Sequence, residues 1–335
     1  MKLLFIGFSG LGNAILLRPV LARLKSAIPG LGIDAVGRNR AAGEIFMDRA
    51  VIDEFILWPR QNTLRWRLLR RFYGRYDATI ITAESFGWKS ALFARLIGAR
   101  QVIGYNNGEW YTVFCHSLLA RDPRQHELSW HSQILRHFKV PEDGLSIALK
   151  LPSQSSPQLE ALLKENVACR IAIHTGSSKN LLAKRWPLER FVSVAEALHR
   201  SLGAQILFVG GPDESAHIAG IKRMISVPAE MLIGKLSVLE TAHVLQKSDL
   251  MITNDSGLMH LAAAVGTPVV AIFGPTNVVK NRPLGEKKII VSKELPCRPC
   301  DLSKKCPESL ACLAAISVED VLQAAARLLH DASNP

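Results

Sequence analysis

Acidic residues are in short supply in this 335-residue chain: 29 Asp and Glu stand against 41 Lys and Arg, a formal net charge of +12 at pH 7. That deficit argues against cationic partners and favours anionic ones, whether nucleic acid, phosphorylated metabolites or an acidic membrane surface. No uninterrupted apolar run approaches the roughly 20 residues of a membrane span. The apolar N-terminus resembles a secretory leader only superficially, because Gly7, Gly10, Gly12 and Asn13 interrupt it and no small-x-small cleavage site follows. Cysteine is sparse too: there are six, four of them late in the chain, which does not resemble an extracellular disulfide scaffold. Repeats of 20–50 residues and low-complexity tails are missing, which removes solenoid architectures. What remains is an ordinary globular composition, 48% hydrophobic and 21% charged, in a length that suits two domains of roughly 150 residues. The expectation is a cytosolic protein.

The chain opens with an apolar run, Leu3-Leu4-Phe5-Ile6, a glycine-rich turn from Gly7 to Asn13, and an amphipathic stretch from Ala14 to Ala27 ended by Pro29-Gly30. That is strand, turn, helix. The unit recurs at Ile33–Val36, Thr79–Thr82 and Gln101–Gly104. A Pro/Ser-rich piece, LKLPSQSS, follows at Leu149–Ser156. A second alternation then runs through strands at Arg170–His174, Gln205–Gly210, Asp249–Thr253 and Pro268–Phe273. Buried strands alternating with helices imply a parallel sheet covered on both faces. The fold class expected is α/β, with two doubly wound lobes facing each other across a crevice at the carboxyl ends of their strands. The expected domains are 1–150, a linker at 151–165, a second lobe at 166–316, and a last helix at 317–335 packing back across the lobes.

The strongest chemical signal is Asn254-Asp255-Ser256-Gly257, where a buried strand passes directly into a helix. Free N–H groups of a first helical turn, with the helix dipole behind them, make an anion site. There Asp255 can accept from a ribose diol and Ser256 can donate to a phosphate. Gly257 leaves room for a pyrophosphate, and His260 lies one turn on. The plainer reading is a helix cap with His260 on the surface. A second segment, His174-Thr-Gly-Ser-Ser178, leads to Lys184-Arg185-Trp186-Pro187. Hydroxyls after a strand and a lysine before a helix suit a diphosphate, whose departing charge a compact ammonium can neutralise. Gly210 to Glu214 ends another strand, and Glu214 could meet a ribose or a base, although an ordinary turn explains that piece alone.

These segments together resemble glycosyltransferase family 9, the bacterial heptosyltransferases of lipopolysaccharide inner-core assembly. HTGSS with AKRWP, FVGGPDE, the stretch from LIGKLSVLET to NDSGLMHLAAAVGTPVVAIFGPT, and GLGNAILLRPVLARL carry the likeness. ESFGWKSALFARLIGARQVIGY is closer to the second heptosyltransferase type than to the first. The resemblance spans nearly the whole chain. It implies a GT-B fold and an inverting, metal-independent transfer from an ADP-sugar such as ADP-heptose, without a cofactor. It places nucleotide contacts at Ser177, Ser178, Lys184, Glu214, Asp255, Ser256, Gly257 and His260, with the backbone near Leu236 beside the adenine. Gly12 and Asn13 fall in the turn that serves the acceptor.

One position departs from the family. Its proposed base is an aspartate just after the N-terminal glycine turn, and here that place holds Asn13. An amide cannot usefully take a proton at neutral pH. Glu84 could substitute; Asn13 could orient an acceptor hydroxyl while water or the leaving phosphate takes the proton; or the chain could bind a nucleotide sugar without transferring it. A cap of the first helix is compatible with each. A dinucleotide oxidoreductase built on Gly7–Gly12 is a weaker alternative, since the spacing is G-x-x-G-x-G rather than G-x-G-x-x-G.

Trp58 to Tyr76 holds six arginines and no acid, interleaved with aromatics. Solvated helix faces look like this, as do surfaces for nucleic acid, anionic bilayers or charged glycolipid cores. The resemblance favours a lipid-linked anionic glycan acceptor and peripheral contact with the cytoplasmic membrane surface, without nucleic acid. Cys297, Cys300, Cys306 and Cys312 could bind zinc tetrahedrally, but their second pair lacks a C-x-x-C and buried thiols commonly just pack. No metal is expected in the reaction.

Overall fold

The computed structural model describes residues 1–8, 10–46, 48, 50–59, 61–83, 87–106, 108, 110–152, 157–164, 167–177, 181–302, 306 and 309–333. They form two compact units, Met1–Ile147 and Ala148–Pro335.

In the first unit β1 (Lys2–Phe8) leads into α1 (Leu11–Ala27), followed by β2 (Gly32–Gly37), α2 (Arg40–Ile45), β3 (Glu54–Leu57) and α3 (Asn62–Phe72). Then come β4 (Ala78–Ile81), α4 (Trp88–Leu96), β5 (Gln101–Tyr105), β6 (Ser117–Leu119) and α5 (Glu127–His137). All six strands are parallel, in the order β3-β2-β1-β4-β5-β6. The apolar run of β1 explains both faces. Leu3 and Phe5 point into one core with Leu17, Val20 and Trp130, whereas Leu4 and Ile6 point into another with Phe72, Phe93 and Ile97. Alternate side chains leave a strand on opposite faces, so only an unbroken apolar run can serve two cores.

The second unit begins with α6 (Pro157–Lys164) and continues with β7 (Arg170–His174), α7 (Leu188–Leu202), β8 (Gln205–Phe208), α8 (Ala216–Met224), β9 (Glu230–Met231) and α9 (Val238–Gln246). It ends with β10 (Leu250–Asn254), α10 (Gly257–Ala264), β11 (Val269–Phe273), α11 (Val278–Asn281), β12 (Lys288–Ser292), α12 (Ala311–Ala314) and α13 (Val318–Ser333). Its parallel sheet is ordered β12-β11-β10-β7-β8-β9. Counted from the first strand of each unit, both sheets read 3-2-1-4-5-6. The order reverses beside the first strand, which is where open α/β sheets bind ligands.

Two boundaries differ from the sequence expectation. The linker expected at 151–165 contains α6, which packs on α9 and buries Leu159, so it belongs to the second unit; residues 153–156 lie outside those described. The last helix rests on α7 and on β10, β11 and β12 of the second unit. Val321, Ala325 and Leu328 are its buried stripe, and the indole of Trp186 donates to Ile316 O (3.0 Å) just before it. Among the described residues, no helix is long and apolar enough to cross a membrane.

Candidate functional site

The strand-order reversal of the second unit lies between β7 and β10, paired in register with Thr253 opposite His174. Beyond their carboxyl ends the polar residues of both signature segments meet. Asn254, fully buried, acts as the tie: its Nδ2 donates to Thr175 O and Gly176 O (3.0 Å each), and its Oδ1 accepts from Trp186 N (2.9 Å). One amide thus fixes Thr175, Gly176 and Trp186 onto the strand that carries Asp255.

Lys184 and Asp255 meet directly, Nζ to Oδ2 at 2.8 Å, with 15% and 7% of their side chains exposed. Lys184 ends a short 3-10 turn and Asp255 opens the β10–α10 junction. Ser256 takes the N-cap position of α10, where its Oγ accepts from Met259 N (3.4 Å). The cap reading and the anion-site reading therefore describe the same residue. Ser177, nearly buried, donates from Oγ to Leu181 O and accepts from Arg185 Nε (3.2 Å). His260 lies buried one turn into α10. Leu236 is half-buried in the loop after β9, which reaches Gly210 through Gly234 N–H to Gly210 O (2.9 Å). Ser178 lies outside the described residues.

Sequence reasoning missed Arg185 and His217. The Arg185 guanidinium bonds Ser177 O (3.1 Å) and His217 Nε2 (2.9 Å), while Thr175 Oγ1 lies 2.8 Å from His217 Nδ1. Burial and the neighbouring Arg185 push the His217 pKa down, so a neutral ring accepts from the guanidinium. Arg185 stood in the AKRWP segment all along, but its partners are 8 and 32 residues away.

Glu214 is buried. Both carboxylate oxygens face His174 Nε2 (3.0 and 3.1 Å), and one accepts from Gly211 N (3.1 Å). Burial alone would raise its pKa, but the His174 charge and hydrogen bond, the Gly211 N–H and Arg185 together hold it below the usual value. Room for this pose comes from two absent side chains. A Cβ on Gly176 would stand 1.7 Å from Glu214 Oε1, and one on Gly210 would stand 2.3 Å from Oε2.

In the first unit the corresponding switch point lies between β1 and β4. Gly10 is the N-cap of α1, so Asn13 is not its cap: it projects, half-buried, from the first helical turn beside the buried Gly12. Glu84 lies outside the described residues. Among the described residues, no group of three or more His, Cys, Asp or Glu is placed to hold a metal ion, and the six cysteines are free thiols.

The sequence pattern of glycosyltransferase family 9 (heptosyltransferase) matches residues 65–311, well over half of the chain. The chain belongs to glycosyltransferase family 9. Relatives within the family include the lipooligosaccharide heptosyltransferase 2 of Haemophilus influenzae, 26% identical over 321 residues that cover 87% of this chain and 88% of that protein. The lipooligosaccharide heptosyltransferase 2 of Campylobacter jejuni is 30% identical over 208 residues, covering 59% of this chain and 64% of that protein. Among solved structures, the ADP-heptose lps heptosyltransferase II of E. coli superposes with a TM-score of 0.78 at 21% identity, over 99% of this chain and all of the other. The family 9 member described here thus has the GT-B fold and is a heptosyltransferase-like glycosyltransferase.

Proposed function

We propose that this family 9 enzyme takes heptose from ADP-heptose held at the β7–β10 switch point and transfers it to an anionic, lipid-linked inner-core acceptor served by the first unit. The observation that carries the donor half is the meeting of Lys184, Asp255 and Ser256 at the opening of α10, beside the Ser177–Arg185 pair on the segment that Asn254 ties to β10. A nucleotide diphosphate is the ligand class that such cations, hydroxyls and helical N–H groups fit together. The resemblance to an enzyme named for ADP-heptose supplies the sugar.

In this reading the anomeric carbon undergoes single displacement through an oxocarbenium-like state, with inversion. Lys184 and the start of α10 stabilise the departing diphosphate, and Asp255 holds Lys184 in place through one oxygen while offering the other to the ribose. Arg185, bonded to Ser177 and His217, adds a second fixed cation on the adjoining segment. Leu236 and its loop border the adenine, and His260 lines the phosphate side. Asn13 orients the acceptor hydroxyl, and the proton passes to water or to the leaving phosphate; Glu84 is the alternative base. The cationic, aromatic surface of α3 meets the acceptor lipid at the cytoplasmic face of the membrane, with Trp66 and Tyr73 exposed to 68% and 71%.

The second reading, a nucleotide-sugar-binding protein without transferase activity, draws on Asn13 alone. Calorimetry with ADP, ADP-heptose and UDP-sugars separates the donor question from the chemistry. The expected result is binding of both adenine nucleotides and weaker binding of UDP-sugars. Preference for a UDP-sugar refutes the donor assignment.

A further inference from the structure

His174 closes β7 with 4% of its side chain exposed, and every polar neighbour of that ring has a defined hydrogen-bonding capacity. On one side Nε2 faces both oxygens of Glu214, so it must carry a proton: a bare lone pair there would oppose a carboxylate. On the other side Nδ1 lies 3.1 Å from Thr253 Oγ1 and 3.1 Å from Ser256 Oγ. Thr253 Oγ1 donates to Asn254 O (2.9 Å), which turns the lone pairs of that hydroxyl toward Nδ1. That leaves two arrangements. When the imidazole is neutral, Nδ1 is bare and Ser256 must donate to it. When it is protonated, Nδ1–H donates to the two hydroxyl oxygens, and the Ser256 proton is released toward Thr253 Oγ1 (3.2 Å) or toward a ligand at the start of α10.

We propose that His174 is a positioning residue of the diphosphate site and that its protonated form is the one that binds: a proton at Nδ1 turns the Ser256 hydroxyl from the imidazole to the phosphate. The inference rests on the donor reading above. It deepens that reading by making diphosphate binding a proton-coupled event. Ser256 donates to a phosphate oxygen only when something else satisfies Nδ1, and an imidazolium behind the hydroxyl adds a charge of the right sign. Glu214, seated where Gly176 and Gly210 leave space, is the counter-ion that makes the charged ring tolerable in a buried place.

Other ionisable groups surround the ring. His217 from α8 interacts with both His174 and Glu214, and Arg185 from the turn before α7 interacts with His217 and Glu214. The Lys184–Asp255 pair and His260 lie at the opening of α10. His174 itself bonds Glu214 on one side and Ser256 on the other.

The test is ADP binding to the full chain by calorimetry from pH 6.5 to 8.5, in two buffers of different ionisation enthalpy. The wild type is expected to lose affinity by about fivefold or more across that range and to take up protons on binding. His174→Asn is expected to bind at all pH values with about the affinity the wild type has at pH 8.5, without the buffer-dependent heat. The nucleotide's own titration is common to both proteins and cancels in the comparison. Glu214→Gln removes the counter-ion and should move the wild-type profile to lower pH. Ser256→Ala should flatten the profile by removing the hydroxyl that turns. An identical pH slope and proton uptake in wild type and His174→Asn overturns the proposal, as does pH-independent binding by the wild type. If His174→Asn does not fold, unchanged profiles in both Glu214→Gln and Ser256→Ala overturn it equally. No ADP binding by the wild type at any pH overturns the donor reading itself.

Discussion

Lys184 and Asp255 share a 2.8 Å bond with little of either side chain exposed, so removing one leaves the other's charge in a poorly solvated place. Breaking such a pair from one side commonly costs about 3–5 kcal/mol, which here is discounted toward the lower figure because Lys184 keeps some contact with water. Lys184→Ala is therefore expected to lower the melting temperature as well as ADP affinity. The double change Lys184→Met/Asp255→Asn should recover much of the stability without recovering nucleotide binding. Thermal unfolding beside calorimetry reads both, and normal ADP affinity in Lys184→Ala would remove this lysine from the site. Asp255→Ala gives a complementary result: because Ser256 is the cap, α10 should persist while ADP binding falls.

Asn13 makes a second prediction at the same scale. The amide projects from the first turn of α1 without capping it. Asn13→Asp is expected to preserve or raise the transfer rate, since it restores a carboxylate where the family has one. Asn13→Ala should lower the rate modestly, by the loss of one positioning hydrogen bond. Steady-state transfer rates decide, and full activity in Asn13→Ala would show that the side chain takes no part.

How far such residues could be read in advance depended on whether their chemistry is local. Asp255, Ser256 and Gly257 announce themselves because a strand, a cap and a helix start are written consecutively. The Glu214 pose was not legible, because it depends on His174, 40 residues earlier, and on two glycines whose missing side chains open the space. Those glycines were visible in HTGSS and FVGGPDE, but nothing in the sequence says that they face the same carboxylate. The same holds for Asn254, whose three bonds reach back 68 to 79 residues.

At the scale of elements, α3 resolves the arginine-rich stretch into two faces. Leu68 and Phe72 are buried in the first unit, whereas Trp66, Arg67, Arg70 and Tyr73 face solvent. Arg71 is different: its guanidinium reaches both oxygens of Glu54 on β3 at 2.6 Å. Exposed pairs of this kind contribute little, about 0–1 kcal/mol, but the contact sets Arg71 apart from the outward charges. Arg67→Gln/Arg70→Gln is thus the cleaner variant. It should weaken binding to vesicles containing an anionic lipid, with the difference shrinking at high salt, while ADP affinity stays unchanged. Equal vesicle binding by variant and wild type at low salt would make α3 an ordinary solvated helix. Amphipathic elements of this length were readable from periodicity. Strands β3, β6 and β9 were not, because two to four residues at a sheet edge carry no pattern of their own.

The whole molecule repeats one arrangement, a 3-2-1-4-5-6 parallel sheet whose order reverses beside its first strand, in each of two units. Its acid sensitivity should come partly from the first unit. His131 is buried against Tyr105, and burial, with His126 and Arg121 nearby, pulls its pKa down to about 3. Glu127 at 3.9 Å is too far to hold a proton on Nε2. Between about pH 6.5 and 3 the unfolded chain therefore binds a proton that the folded chain refuses. Stability rises with pH through that window and falls as acid is added, by up to about 1.4 kcal/mol per pH unit. Urea unfolding between pH 5 and 6.5, above the carboxylate range, should show this slope in the wild type and a shallower one in His131→Gln. Equal slopes would mean that His131 is protonated in the folded protein. The doubly wound class is legible from alternating strands and helices, whereas Pro and Ser at 152–156 suggest a linker in a stretch where α6 begins at Pro157 and packs on α9.

The most direct measurement of the central claim is product analysis of one reaction: the protein, ADP-heptose and an inner-core glycolipid lacking its outer heptose, with UDP-sugars as alternative donors. The account predicts a glycolipid heavier by one heptose, formed in step with ADP release, with the new linkage inverted at the anomeric carbon and no product from UDP-sugars. ADP-heptose that binds yet yields no product would contradict it, and would leave a nucleotide-sugar-binding protein in which Asn13 marks the lost reaction.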